Sequence, residues 1–391
     1  MSRVALVHDY FVQRGVAERV AEAMHDSFPD APIYTTVALP HSLPHRLKTA
    51  DIRTSPLQRL PAINRAFRHY FMFYPLAIEH FNLSQYDLIF SSSSGYAKGV
   101  RRHRNAVHVC YCHTPMRWVW RYEDYVARRG IGRVARAPLP FLLWGMRHWD
   151  LRAARQPNYY IANSRLVARM IRQVYGRDAL VIPPPIDVRR FMMSRETDDY
   201  YLVVSRLVAH KRIDLAIEAC KRMNRRLVVI GEGPDRARLE ALADDRIEFL
   251  GDQSEETVTQ YLARCRGLLF PGEQDFGMAP LEANAAGRPV IAYRGGGAVE
   301  TVEDETTGIF FDRPSVEALA EAIEKLESLP WDQRTLRRHA EKFDSLVFAF
   351  RVLQFISSVA PPSCSQEVLN GARLLSERLS QRHRPRLALI G

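Results

Sequence analysis

The chain opens on Val4-Ala5-Leu6-Val7, a continuous apolar run of the kind shown by a strand buried on both faces. A strand is predicted over residues 3–8. A turn follows through Tyr10 to Gly15. Val16, Val20, Met24 and Phe28 then recur at helical spacing, so residues 16–27 are predicted as a helix packed on that strand. Further strands are read at residues 87–91, 107–111 and 159–162, with a helix over 164–174 capped by Asn163 or Ser164. Residues 115–155, rich in Trp and Arg, read as helical.

Pro183-Pro184-Pro185 stops regular structure and marks a linker ending near Phe191. Beyond it, strands at 201–205, 226–231, 247–250, 267–271, 289–293 and 308–311 alternate with helical patterns at 211–222, 234–243, 254–264, 279–287 and 315–328. Such alternation means parallel sheets covered by helices. The fold class is α/β, with two doubly wound domains, and ligands are expected where loops leave the carboxyl ends of the strands. Residues 361–391 begin Pro-Pro-Ser and end Arg-rich, and read as a loosely ordered basic tail with an amphipathic turn over 368–379.

Composition narrows the class. With 391 residues, 47% hydrophobic and 25% charged, the chain is globular, and about 150 residues per domain gives two to three domains. Five cysteines without framework spacing exclude a disulfide scaffold and read as buried thiols. Four apolar residues near the start are too few for a signal-peptide core, and the longest other apolar stretch, 138–146, is about half a membrane span. The expectation is a cytoplasmic protein, soluble or peripheral on a membrane.

Charge is uneven. Residues 1–190 carry 28 Lys and Arg against 13 Asp and Glu, a net +15, whereas residues 191–360 carry −7 and the last 31 residues +3. The first half therefore points to an anionic partner. Its densest basic stretch interleaves Trp118, Trp120, Arg121, Tyr122, Arg128, Arg129, Arg133, Arg136, Phe141, Trp144, Arg147 and Trp149. Mixed Trp and Arg suit an anionic bilayer surface. No nucleic-acid signature is present in the sequence, so no nucleic-acid partner is expected.

Candidate chemistry gathers at predicted strand ends. After the strand ending near Phe270 comes a loop with Gly272 and Gly277, and Pro280 begins the first turn of a helix. Free amides from Gly277 to Ala279 would face an anion, and Glu282, in that first turn, could reach a ligand hydroxyl or merely complement the helix dipole. Arg206 ends one strand and Lys211 opens the next helix; two cations there suit a leaving diphosphate. Gly231-Glu-Gly-Pro234 reads as a structural turn. In the first half, Gly15 opens a helix and offers an anion site, His113 follows a buried strand, and Asp9 faces the same edge, with a turn carboxylate as its plain alternative.

Together these segments resemble glycosyltransferase family 4, retaining enzymes of the GT-B fold, and within it bacterial polysaccharide mannosyltransferases. The resemblance runs from His8-Asp-Tyr to about residue 357. It rests on Tyr111-Cys-His-Thr-Pro-Met-Arg117, Asn163-Ser164, Tyr175-Gly176, Pro183-Pro-Pro-Ile-Asp187, Ser205-Arg206 with Lys211, Gly231-Glu-Gly-Pro234, and Phe276-Gly277 with Glu282 and Gly287-Arg-Pro-Val290. It implies two Rossmann-like domains facing a cleft: an acceptor-binding domain over 1–188 and a nucleotide-sugar domain over 189–342. It also implies a helix over 343–360 returning to the first domain, ahead of the tail 361–391. By the same resemblance, Arg206 and Lys211 would hold the diphosphate and Glu282 the ribose, while Leu250 and Gly251 would flank the base. Phe276, Gly277, Met278 and Ala279 would hold sugar and phosphate, His113 would meet the donor sugar, and Gly15 would take phosphate. Asp9 is placed on the acceptor side.

Two positions depart from the family pattern. Where a first glutamate is usual the chain has Gln274, whose amide can hydrogen-bond a sugar hydroxyl but carries no charge. Where a second glycine is usual it has Val16. The expected activity is retaining transfer of mannose from GDP-mannose to a polyprenyl-diphosphate-linked oligosaccharide, at the inner face of the plasma membrane, with no metal or cofactor. A UDP-sugar transferase, an epimerase of the same fold, a non-catalytic nucleotide-sugar binder and a basic nucleic-acid-binding protein are the competing readings.

Overall fold

The computed structural model describes residues 3–13, 15–120 and 139–383. Arg14, Arg121, Tyr122, Arg128, Arg129, Arg133, Arg136 and residues 384–391 lie outside the described residues. The chain forms two units: Met1–Pro185 together with Leu346–Gly391, and Ile186–Ser345.

Among the described residues, the first unit holds a seven-stranded sheet ordered β3-β2-β1-β4-β5-β6-β7. Its strands are β1 Val4–His8, β2 Ile33–Thr35, β3 Ile52–Thr54, β4 Leu88–Ser93, β5 Val107–Cys112, β6 Tyr159–Ala162 and β7 Ala179–Val181. All neighbouring pairs are parallel. Alternate residues of β1 face opposite layers, as a strand requires. Val4 and Leu6 pack with Val20 and Met24 of the helix Val16–Ser27 and with Val352 and Ile356 of the helix Ser345–Val359. Ala5 and Val7 pack with Tyr74, Ile78 and Met146 on the other side. The three-residue strands β2, β3 and β7 were not anticipated; they are too short to show a period. The helix over 164–174 is found as Arg165–Tyr175, and Ser164 rather than Asn163 caps it, accepting from the Val167 N–H.

The tail departs from its expected loose order. Ser365–His383 forms a 19-residue helix. Val368 and Leu375 enter the core beside the helix Val16–Ser27, and Arg378 pairs with Asp26 at 3.1 Å. The approach is close: a Cβ on Gly371 would come within 2.5 Å of the Ser27 carbonyl oxygen. The spacing Val368, Gly371, Leu375 is helical, but its apolar stripe is narrow and a small residue sits where the contact is tightest.

The second unit holds a six-stranded parallel sheet among the described residues, ordered β10-β9-β8-β11-β12-β13. The strands are β8 Tyr201–Val204, β9 Leu227–Ile230, β10 Ile247–Gly251, β11 Gly267–Phe270, β12 Val290–Tyr293 and β13 Gly308–Phe311. Their near-continuous Val, Ile and Leu content follows from burial on both faces. Both units are Rossmann-like, doubly wound sheets. Among the described residues, no helix is long and apolar enough to cross a membrane.

Candidate functional site

In the second unit the strand order reverses between β8 and β11, since β9 and β10 extend one way and β12 and β13 the other. Open α/β sheets bind ligands at such a switch point, outside the carboxyl ends of the strands. Arg206 and Lys211 follow β8, and Gln274 through Ala279 follow β11, so these expected residues flank that point. Arg206 is exposed and Lys211 half-buried. Lys211 does not open the helix: it closes a 3-10 turn, Ala209–Lys211, and the helix starts at Ile213. Arg212 between them has φ 51°, a left-handed value that breaks the helical path.

The Gln274 loop is clamped by backbone. On one side, a Cβ on Gly272 would come within 2.5 Å of the His210 carbonyl oxygen and 2.6 Å of Lys211 Cα. On the other, the Gly297 N–H donates to the Gln274 carbonyl at 2.7 Å, and a Cβ on Gly297 would meet Phe276 Cα at 2.5 Å. Glycine is required where chains approach this closely.

The helix after this loop is Met278–Ala285 with Gly277 as N-cap and no side-chain cap. The amides of Met278 and Ala279 are therefore among the first-turn donors that have no partner within the helix. Because the helix starts at Met278, Pro280 is its third residue rather than its first. Glu282 is buried, 7% exposed, and sits in the second turn, a correction to its expected place in the first. Gly251 ends β10, past a register shift between Phe249 and Gly251, and accepts from the Gly231 N–H at 2.7 Å. Glu232 accepts from the Leu207 N–H at 2.9 Å, so the Gly231–Pro234 turn braces the Arg206 loop, the structural role expected of it.

In the first unit the order reverses between β1 and β4. His8 ends β1, aligned with Ser92 of β4. His8 Nδ1 lies 3.1 Å from Ser92 Oγ, which lies 2.9 Å from His113 Nε2. This chain spans the ends of β1 and β4 and the residue after β5. Burial pushes both rings down to about 3, against hydrogen bonds at His8 and helped at His113 by the nearby His8, so both stay neutral at ordinary pH. His113 Nδ1 is buried without a hydrogen-bond partner.

Asp9 is 3% exposed, and its carboxylate accepts from the N–H groups of Ser94 at 2.6 Å, Tyr96 at 2.9 Å and Ala97 at 2.6 Å. Burial raises its carboxyl above the usual range, against the pull of those amides and of Lys98. The carboxylate thereby anchors the loop after β4, the turn role read as its plain alternative. Gly15 is the N-cap of its helix as expected, but its amide faces the chain's own Glu18 carboxyl. Sequence reasoning passed over Glu18. Its signal was position, three residues past the N-cap, where a capping-box glutamate stands.

Residues 15–190 match the family described as Glycosyltransferase Family 4, and residues 187–343 match Glycosyl transferases group 1. The GDP-mannose-dependent alpha-(1-6)-phosphatidylinositol dimannoside mannosyltransferase of Mycobacterium tuberculosis is 32% identical over 192 residues, which cover 44% of this chain and 50% of that protein. The chain spans about half the length of the curated relatives it matches. The sucrose-phosphate synthase of Thermosynechococcus elongatus aligns with a TM-score of 0.70 at 18% identity, over 92% of this chain and 99% of that one. Anabaena HepE in complex with UDP aligns at 0.66 and 16%, over 92% and 100%. These two likenesses show the GT-B fold. With its two matched families in order along one chain, the protein belongs to the GT-B glycosyltransferases, with a family 4 first part and a group 1 second part.

Proposed function

We propose that the chain is a retaining glycosyltransferase that moves mannose from GDP-mannose to a hydroxyl of a polyprenyl-diphosphate-linked oligosaccharide. The observation that carries this reading is the convergence of Arg206, Lys211 and the open helix start at Met278 on one switch point of the second unit. Cations and amides there are the groups a departing nucleoside diphosphate needs. In a front-face route the bond from anomeric carbon to phosphate oxygen breaks. The acceptor oxygen bonds that carbon on the same face, and its proton passes to the β-phosphate oxygen of the leaving group. No carboxylate nucleophile takes part, which suits Gln274. Losing one preorganised donor of this kind costs roughly 2.7–4 kcal/mol of transition-state stabilisation. The two cations would supply the neutralisation that a metal provides elsewhere. The mannosyltransferase relative from Mycobacterium tuberculosis supports mannose as the sugar. Product analysis after incubating GDP-mannose with a membrane lipid extract tests the reading; no mannosylated lipid with any extract would overturn it.

A UDP-sugar donor is the second reading, favoured by the UDP-bound HepE structure. Thermal shifts with GDP, UDP and ADP separate the two, since a ligand at 100 times its Kd stabilises by about 2.7 kcal/mol.

The acceptor lipid implies a membrane surface. Leu76 is 68% exposed on the helix Tyr74–Glu79 and Phe73, its N-cap, 52%, while Phe141 and Trp144 are 79% and 57% exposed on the helix Leu139–Ala153. Glu79 ties the two helices, accepting from Trp149 Nε1 at 2.7 Å and Arg152 at 3.0 Å. Trp149 is buried and Trp120 donates to Asp150 at 2.7 Å, so these two belong to the framework and not to the lipid-facing set expected from the sequence. Flotation with anionic and neutral liposomes tests the surface; equal binding would remove it.

A further inference from the structure

Three buried side chains meet at the carboxyl edge of the first unit's sheet. His8 ends β1, Ser92 lies beside it in β4, and His113 follows β5. The backbone of His113 is held on both sides: its N–H donates to the Ser93 carbonyl at 2.9 Å, and its carbonyl accepts from Asn163 Nδ2 at 3.0 Å. Its ring lies against Tyr111, with centroids 5.1 Å apart, and the His8 ring lies 4.5 Å from Phe11. Packing fixes where these rings are. Hydrogen bonds fix which nitrogen of each holds the proton.

Among the described residues, the Ser92 hydroxyl has two partners, His8 Nδ1 at 3.1 Å and His113 Nε2 at 2.9 Å. A hydroxyl carries one hydrogen, so it donates to one ring and accepts from the other. Both rings are neutral, burial having pushed each down to about 3, so each holds one proton. The backbone carbonyls of Ser92 and Tyr10 set the direction. Against burial, they pull His8 toward holding a proton, and His8 Nε2 has no partner, so the nitrogen they face is Nδ1. His8 Nδ1 is then an N–H group and donates. The Ser92 hydrogen goes to His113 Nε2, and the single proton of His113 sits on Nδ1. That N–H is buried and meets no acceptor among the described residues. A buried donor left in this way costs about 1–3 kcal/mol, and the held backbone and ring give it no route to turn away. An incoming hydroxyl oxygen satisfies it. We propose that His8 and Ser92 are positioning residues that hold His113 in its Nδ1–H form, so that it donates a hydrogen bond to a hydroxyl oxygen of the donor sugar. The identity of that ligand rests on the transferase reading; the form of the ring does not.

Long-range 1H–15N NMR of the full chain labelled with 15N-histidine shows which ring nitrogens carry hydrogen, the His113 signals being those lost in His113→Gln. At neutral pH, His113 should show a protonated Nδ1 and a bare Nε2. A protonated Nε2 overturns the proposal. Ser92→Ala removes the donor to Nε2, so the single Nδ1–H form should be lost. In the same variant kcat/KM for GDP-mannose should fall roughly tenfold, while GDP affinity stays at the wild-type value. Ser92→Thr keeps the hydroxyl and should restore both the tautomer and the rate. A wild-type rate in Ser92→Ala, or an equal loss of GDP affinity, overturns the positioning role. Should Ser92→Ala fail to fold, His8→Phe carries the test: Ser92 is then free to accept as well as donate, and His113 should show both tautomers. An unchanged Nδ1–H form there overturns the part given to His8. A wild-type chain that neither transfers nor hydrolyses GDP-mannose, with His113 still in its Nδ1–H form, would remove the transferase reading and leave the positioning of the ring standing.

Discussion

The Nζ of Lys98 lies 2.6 Å from Oδ1 of Asp150, and the two side chains are 1% and 0% exposed. The other carboxylate oxygen accepts from Trp120 Nε1 at 2.7 Å and the Tyr175 hydroxyl at 2.8 Å, and Lys98 also donates to the Gly95 carbonyl. Burial disfavours the Lys98 ammonium most strongly, but the charge and hydrogen bond of Asp150, with the smaller pulls of Cys112 and Asp9, together outweigh it and raise the group above its usual range. This pair ties the loop after β4, the one whose amides hold Asp9, to the helix Leu139–Ala153.

Removing one partner leaves the other charge buried and alone, which typically costs about 3–5 kcal/mol. Lys98→Met should therefore lower the urea midpoint of the first unit strongly. Adding Asp150→Leu should recover part of the loss. A double variant as unstable as the sum of the singles would show that the two residues do not act as a pair.

Arg206 is exposed, and its loop is braced through Leu207 and Glu232 rather than through its own side chain. Arg206→Ala should leave thermal unfolding within about 0.5 kcal/mol of the wild type while lowering kcat/KM for GDP-mannose at least a hundredfold. Unaltered kinetics would separate Arg206 from the diphosphate.

Gly297 tests the clamp on the Gln274 loop. A methyl group at 297 collides with Phe276 backbone, so Gly297→Ala should displace the loop and reduce nucleotide affinity, with a stability loss of about 1–3 kcal/mol. Calorimetric titration with GDP measures the first effect and urea unfolding the second. Wild-type GDP affinity in the variant would uncouple the loop from the nucleotide.

Three buried histidines set the acid limit of the first unit. Burial pushes His8, His108 and His113 down to about 3 from an ordinary 6.5. Between those values the unfolded chain holds protons that the folded one does not. Stability is therefore fully present above about 6.5 and falls as pH drops toward 3, by about 1.4 kcal/mol per pH unit for each ring. Glu18 runs the other way: raised to about 7 from 4.5, it binds its proton more tightly when folded, and its contribution is lost as pH rises through 7. Asp9, also raised by burial, runs the same way as Glu18. Three rings outweigh two carboxyls, so the urea midpoint should fall from pH 6 to pH 4. A flat profile would mean that the rings gain water or charge in the folded state.

Removing residues 361–391 strips Val368 and Leu375 from the core. Each buried aliphatic side chain is worth about 1.5–3 kcal/mol, so the truncated chain should melt several degrees lower. An unchanged Tm would mean the helix Ser365–His383 is dispensable.

The fold was largely legible in the sequence because its signals are local. Val4 to Val7, Leu227 to Ile230 and Gly308 to Phe311 are short apolar runs that fit a strand buried on both faces, and their length and the helical spacing that fills the gaps between them favour that reading. Where the local signal was weak, reading failed: β2, β3 and β7 have three residues each, and the closing helix hides its contact behind Gly371.

The sequence by itself determined two alternating strand–helix halves and the order of the chemistry-bearing residues along them, since apolar periodicity and turn residues act within a few positions of one another. Only the tertiary structure decided what those residues do. Asp9 is held by amides 85 to 88 positions away, Lys98 by a carboxylate on a distant helix, and Glu18 is left with one oxygen unmet. Whether a buried polar atom is satisfied depends on which loops fold over it, and that is a property of the packed chain.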